Sequence, residues 1–284
     1  MTGGASGWTR IFRSPVTAAS AGVVTLLVLT AVFAPILAPY AYDAQDRNHV
    51  LAPPSRRHRL GTDHLGEDVL SRILYGARVS LTVGLVVEAI ELAIGVSLGL
   101  LAGYKGGWLD TILMRITDAM FAFPDLLFAI LLVGIWRPAT PAGSFLIVFI
   151  ALALVNWPGM ARLVRGQALA LREKEFIEAA RAVGASEWAI VTRHLLPNML
   201  SPIIVAVTVD IANVILAEAT LSFLGIGIQP PYPSWGRMIN DARPYLLSHP
   251  GLILWPSIAL GATVLALNFL GDGLRDALDP RFRA

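Results

Sequence analysis

Two carboxylates three residues apart, Glu88 and Glu91, stand in the otherwise apolar run from Val79 to Gly103. At helical spacing they share a narrow arc with Gly84, Gly95, Gly99 and Ala102, so both meet one environment. A second set, Asp210 and Asn213, lies at i and i+3 in another apolar run, with Ala206 and Ala217 on the same face. Exposed to hydrocarbon such groups are costly, so they must face protein or a wet cavity. Three readings stand: lining of a polar path, members of a proton relay, or buried helix contacts with a carboxyl protonated or paired. Chemistry of bond making has nothing comparable. Lys105 is followed by Gly106 and Lys174 by Glu175, so no GxxxxGKS/T loop exists to cradle nucleotide phosphates. There is no GxSxG elbow and no HExxH, and zero cysteines exclude thiol catalysis, thiolate metal sites and disulfides. The five histidines form no HxxxH pair, so no metal site is expected. No catalytic residue is assigned, and the chain is expected to be no enzyme and to bind no cofactor.

The elements that carry these residues are long and apolar. With 55% hydrophobic and 15% charged residues in 284, the chain lies outside the composition of soluble domains. Its net charge of +2 fits membrane topology, and no nucleic acid partner is expected. Residues 1–15 are polar, with Arg10 and Arg13 ahead of the run Val16 to Pro39. That run covers roughly 36 Å as a helix, too long for a typical signal peptide and enough to span a bilayer. Further spans are expected over Val79–Gly103, from Arg115 or Asp118 to Ile135 bent by Pro124, over Gly143–Leu163 with an interruption at Asn156-Trp157-Pro158, over Asn198–Ala219, and over Leu252–Gly271. The expectation is an all-α polytopic membrane protein of six transmembrane helices with both termini cytoplasmic. Arginine and lysine are modestly in excess on the inside, as that topology requires.

The longest charge-rich interval is residues 166–197. From Gln167 to Val183 the pattern predicts one amphipathic helix, with Leu171, Phe176, Ala179 and Val183 on its apolar face. Gly184 is placed to end it in a left-handed conformation, and Ser186 with Glu187 to start another helix. The result would be a compact knob on the membrane surface. On the opposite side, residues 40–77 form a first outside loop. Residues 220–250, with Pro230-Pro231-Tyr232-Pro233, form a second, and Ser234–Leu247 is expected to hold a short helix.

Three stretches carry a family resemblance. Glu178-Ala179-Ala180, Gly184 and Leu196-Pro197 resemble the EAA loop of importer permeases in the ATP-binding-cassette (ABC) transporters. His194 departs from the general pattern but matches the peptide and nickel branch through Arg193-His194-Leu195-Leu196-Pro197-Asn198. GTDHLGEDVLSRILYGARVSL, residues 61–81, resembles a signature of the C-type subunit of dipeptide and oligopeptide permeases, departing at Glu67, where the family carries a basic residue. It is read as an amphipathic elbow at the interface. The tail GDGLRDALDPRFRA resembles the family's C-terminal run.

The resemblance implies a type I ABC importer permease fold with cytoplasmic EAA coupling helices, in a bacterial cytoplasmic (inner) membrane. It implies partners: a second homologous permease, two nucleotide-binding ATPase subunits that carry ATP and Mg, an extracytoplasmic solute-binding protein, and membrane lipid. Glu178, Ala179, Ala180, Gly184, His194, Leu196 and Pro197 would form the ATPase-coupling loop. Glu88, Glu91, Asp210 and Asn213 would line the pathway. Trp235, Arg237, Arg243 and Tyr245 would dock the binding protein, with Met238 and Leu246 as further apolar anchors. The chain would divide into a tail (1–15), a first helix with elbow (16–78) and a five-helix core (79–284) that includes 166–197 and 220–250. The substrate would be a dipeptide, oligopeptide, glutathione or nickel. A stand-alone channel or proton-coupled secondary transporter is the other class, with Glu88 and Glu91 as the relay, and it leaves the knob unexplained.

Overall fold

The computed structural model describes residues 14–136 and 138–278. Most of the tail expected over 1–15 and the end of the C-terminal run lie outside the described residues. Helix α1 spans Pro15–Leu37, begun by the Ser14 side chain accepting from the Thr17 amide at 3.4 Å. Helix α2 spans Val69–Leu100 and ends in a π-turn, Leu101–Lys105. Helices α3, Gly107–Phe121, and α4, Asp125–Ile135, follow, then α5, Pro141–Arg172. The short α6, Glu175–Ala182, and α7, Glu187–Ile190, lead through a π-turn, Val191–Leu195, into α8, Leu196–Phe223. Helix α9, Trp235–Ala242, ends in a 3₁₀ turn, Arg243–Tyr245, and α10 runs Gly251–Leu278.

Five of these stretches are long and apolar enough to cross a membrane, and α3 with α4 makes a sixth if the pair counts as one span. The bend within that pair is 86°, far more than the kink expected at Pro124. Proline disfavours the α conformation in the residue before it, so α3 does not continue through Phe123, and Pro124 caps α4 instead. Pro158, by contrast, interrupts nothing: it lies buried inside α5, which runs past it as one helix.

Helix α2 is the hub, packed on α1, α5, α8 and α10. The small-residue arc read from the sequence is what allows this. A Cβ added at Gly95 would lie 2.7 Å from Met160 Cβ, and one at Gly99 would lie 2.8 Å from Val164 Cβ, both on α5. At Gly84 the neighbours are Ile211 and Ile215 of α8. In lipid, where no hydrophobic effect drives helices together, such close approach is what packing energy rests on.

Several sequence expectations change here. The expected elbow over residues 61–81 is not a separate surface helix. From Val69 it is the first turns of α2, so the boundary drawn at 78/79 falls inside that helix. Asp68 starts α2 by accepting from the Ser71 amide at 2.8 Å. Glu67 finds its partner in Arg72, which also lies 3.5 Å from Asp63 and is nearly fully buried. The helix expected from Gln167 to Val183 is two helices: α5 continues to Arg172, and Lys174, in extended conformation, separates it from α6. Likewise, the helix begun at Ser186 is no isolated piece, because it continues through the π-turn into the span ending at Phe223. Pro197 has no N–H for the Arg193 carbonyl, and the wider turn carries the helix past its ring. Asn198 Nδ2 donates to the His194 carbonyl at 2.6 Å beside it.

Candidate functional site

At the end of the bundle bearing α6, the knob is built on a glycine. Gly184 has φ +82°, and its amide donates to the Arg181 carbonyl at 3.0 Å while the Ala185 amide donates to the Ala180 carbonyl at 3.0 Å. This is the Schellman arrangement that ends a helix at a left-handed residue. Ser186 then caps α7 by accepting from the Ala189 amide at 3.2 Å. Both features are as the sequence spacing predicts.

The face that α6 turns inward differs from the expected one. Ile177 and Ala180 are buried, in one cluster with Met160, Val164 and Ala168 of α5 and Leu195, Met199 and Ile203 of α8 and the turn before it. Glu178, Ala179 and Phe176 are exposed, as are Val183 at 84% and Trp188 at 76%. The break at Lys174 resets the helical phase, so Phe176 and Val183, assigned inward by extending α5, point outward. Ala180 is therefore an internal contact and not part of the knob's outer surface. Pro197 is exposed, while His194 and Leu196 are half-buried in the junction with α8. Sequence reasoning misses Trp188; its place one residue inside a Ser-capped helix start is the available signal. It lines an open cavity of about 560 Å³ with Tyr104, Lys105 and Glu187. Arg165 fixes this end of α5 to α3 by donating to Asp110 through Nε at 2.5 Å and Nη2 at 2.7 Å.

In mid-bundle the two sets of polar residues, read separately from the sequence, form one group. Carboxylate oxygens of Glu88, Glu91 and Asp210 all lie within 4.8 Å of one another. Glu88 and Glu91 are each 2% exposed, and Asp210 is half-buried. Both Glu88 oxygens and Glu91 Oε2 have no hydrogen-bond partner among the described residues. Beside them an open cavity of about 290 Å³ is lined by Glu91, Asp210, Asn213, Asn156 and Asp125. Glu88 is not among the residues lining that cavity. The oxygens are hard donors of the kind that hold a cation. Sequence spacing places Glu88 with Glu91, but the approach of Asp210 depends on how α8 crosses α2.

At the opposite end, α9 is folded against its own chain. Trp235, expected to anchor a partner, is 1% exposed, and its Nε1 donates to the Ile73 carbonyl at 3.2 Å. Met238 is buried with it, in a cluster with Val69 of α2 and Leu252 of α10. Their apolar area is thus already used, and neither offers surface to another protein. Arg237 is held by Asp241 at 2.9 Å. Arg243 is exposed with its guanidinium over the Phe223 ring, Tyr245 stacks on His64, and Leu246 is exposed. In the loop before α2, Asp46 is partly desolvated, which raises its pKa. Hydrogen bonds from His49 and the Asn48 amide, with the Arg57 charge, outweigh this and hold the carboxyl below its ordinary value.

Comparison with known proteins places this architecture. Residues 95–284 match a family model described as binding-protein-dependent transport system inner membrane component, and residues 4–54 match the N-terminal TM domain of oligopeptide transport permease C. The glutathione transport system permease protein GsiD of Pectobacterium atrosepticum is 45% identical over 278 residues, covering 98% of this chain and 91% of the relative. The dipeptide transport system permease protein DppC of Alkalihalophilus pseudofirmus is 44% identical over 262 residues, covering 92% and 84%. Among solved structures, a chain of the MetNI methionine ABC transporter in an inward-facing conformation superposes with a TM-score of 0.59 at 21% identity. That superposition covers 73% of this chain and 97% of the other. The fold is that of type I ABC importer permeases.

Proposed function

This chain belongs to the family of inner-membrane components of binding-protein-dependent transport systems, and from that premise we propose that it forms half of the translocation pathway of an ATP-driven importer of peptide-type substrates. Relatives named for glutathione and dipeptide transport, similar along nearly the whole chain, support that substrate class. The complete importer would add a second permease, two ATPase subunits that bind ATP and Mg, and an extracytoplasmic binding protein. Both termini would be cytoplasmic, on the same side as α6.

The observation that carries the coupling role is the knob itself. Helix α6 is clamped to α5 and α8 through Ile177 and Ala180, while Phe176, Glu178, Ala179, Val183 and Trp188 stay exposed at one end of the bundle. A short, rigidly seated helix with an apolar outer face transmits a push from an ATPase subunit into both spans it touches. Glu178 supplies a charge for a basic group on that partner. The loop's other family residues, His194, Leu196 and Pro197, form the joint through which α8 follows.

At the other end, Arg243 and Tyr245 with exposed Leu246 form the surface for the binding protein, with Arg237 supporting it through Asp241. A second permease would close the open cavity at Asp210 and Asn213 into a path. The test is uptake by the reconstituted complex with its binding protein. Accumulation of a labelled dipeptide or glutathione that requires ATP supports the proposal. Accumulation by this chain alone, driven by a proton gradient without ATP, refutes it in favour of a proton-coupled carrier.

A further inference from the structure

The carboxylate group between α2 and α8 has a structure that a general polar lining does not require. Its three carboxylates converge to within 4.8 Å, and two of them are almost wholly buried. Among the described residues no lysine or arginine pairs with any of the three, and three carboxylate oxygens lack a partner. Like charges this close repel, so the group needs a cation or protons to hold together. A buried carboxylate with both oxygens unpartnered, as Glu88 has, is costly unless something donates to it.

We propose that Glu88, Glu91 and Asp210 form a binding site for a primary ammonium group carried by a substrate in the pathway. This deepens the importer reading and rests on it. A protonated amine presents three N–H donors in tetrahedral directions. With charge-assisted bonds of about 2.8 Å, three acceptors around it stand about 4.6 Å apart. The oxygens here lie within 4.8 Å of one another, a bound that admits this spacing. The arrangement also favours the end of a larger molecule over a free ion. Glu91 and Asp210 line the open cavity, and a Glu88 oxygen lies within 4.8 Å of theirs, so a group inserted between those two comes within reach of the third. Asn213 and Asn156, on the cavity wall, offer amide groups to the polar body that follows. No cysteine or histidine takes part, which removes the ligands that select soft metals.

The test uses the full-length chain in lipid nanodiscs, titrated with dialanine, N-acetyl-dialanine and Mn²⁺. Carboxylate bands are followed by infrared difference spectroscopy, and Mn²⁺ by its paramagnetic resonance. Dialanine is expected to perturb carboxylate bands and the acetylated peptide to leave them unchanged. Glu91→Gln and Asp210→Asn are each expected to weaken the dialanine response about tenfold or more. Equal responses to both peptides, or none to either, overturn the site. So does stoichiometric Mn²⁺ binding that both variants abolish and dialanine does not displace. The wild-type comparison of the two peptides needs no variant, so a substitution that unfolds the chain leaves the test standing. ATP-driven uptake by the assembled complex separates the two layers. Uptake without a band response removes the ammonium site alone, whereas a band response without uptake removes the importer reading and leaves the site.

Discussion

Gly99 lies so close to Ala161 that a Cβ added to it would stand 2.6 Å from the Ala161 carbonyl oxygen. That contact, with its neighbours at Gly95 and Gly103, holds α2 to α5 and so fixes both the carboxylate group above it and the knob below. Backbone cannot retreat as a flexible side chain can. Gly99→Ala should therefore cost about 1–3 kcal/mol and lower the melting temperature of the purified chain. Gly159, on α5, is the control, since a Cβ added there would meet nothing within 4 Å. Gly159→Ala should melt with the wild type or above it, since alanine is the better helix former. Equal melting of the two variants would show that the close approach is not energetic.

Gly184→Val separates coupling from folding. No atom lies within 4 Å of a Cβ at this position, so the penalty comes only from the left-handed backbone, about 1–3 kcal/mol and local to the α6–α7 corner. Spans on either side should keep their packing. We expect binding-protein-stimulated ATPase activity of the complex to fall sharply while melting of the bundle shifts little. Normal stimulated hydrolysis would sink the coupling role of the knob.

Replacing both Glu88 and Glu91 with glutamine removes charge from a crowded group and keeps its shape. Assembly and melting should be retained, because an amide tolerates burial better than an unpaired carboxylate. Uptake of substrates with a free amino group should drop about tenfold or more. Loss of assembly together with uptake would identify the two as helix contacts, and wild-type values for both would leave them without a role.

The two arginines near α9 should behave differently. Arg243 is exposed and free of any carboxylate partner among the described residues, so Arg243→Glu should weaken stimulation by the binding protein, most at low salt, with basal hydrolysis kept. Arg237→Glu sets a like charge beside Asp241 on the same helix, costing about 0.2–0.5 kcal/mol beyond the pair it breaks. Its defect should be relieved by the added Asp241→Arg change, which restores the pair in reverse. Stimulation unchanged by Arg243→Glu at low ionic strength would exclude this surface as the docking site.

Local rules were enough for several features. The left-handed residue at Gly184, the cap at Ser186, the apolar lengths of the spans and the small-residue arc of α2 each depend on neighbours within a turn or two. The family loop likewise lies in one continuous stretch. Sequence therefore determined that the chain crosses a membrane, where its knob turns, and which face of α2 is close-packed. Where α5 stops was decided by tertiary packing. Ile177 and Ala180 fill a space between α5 and α8, and seating them needs the break at Lys174, which turns Phe176 and Val183 outward. The same holds for Trp235, whose aromatic character suits a partner as well as a core; only the nearness of the Ile73 carbonyl gives its N–H a place inside. It holds most for the carboxylates. Glu88 and Glu91 share a face by helical period, but Asp210 joins them only because α8 crosses α2 at that height, and a crossing is set by the shapes of two surfaces that no local pattern contains.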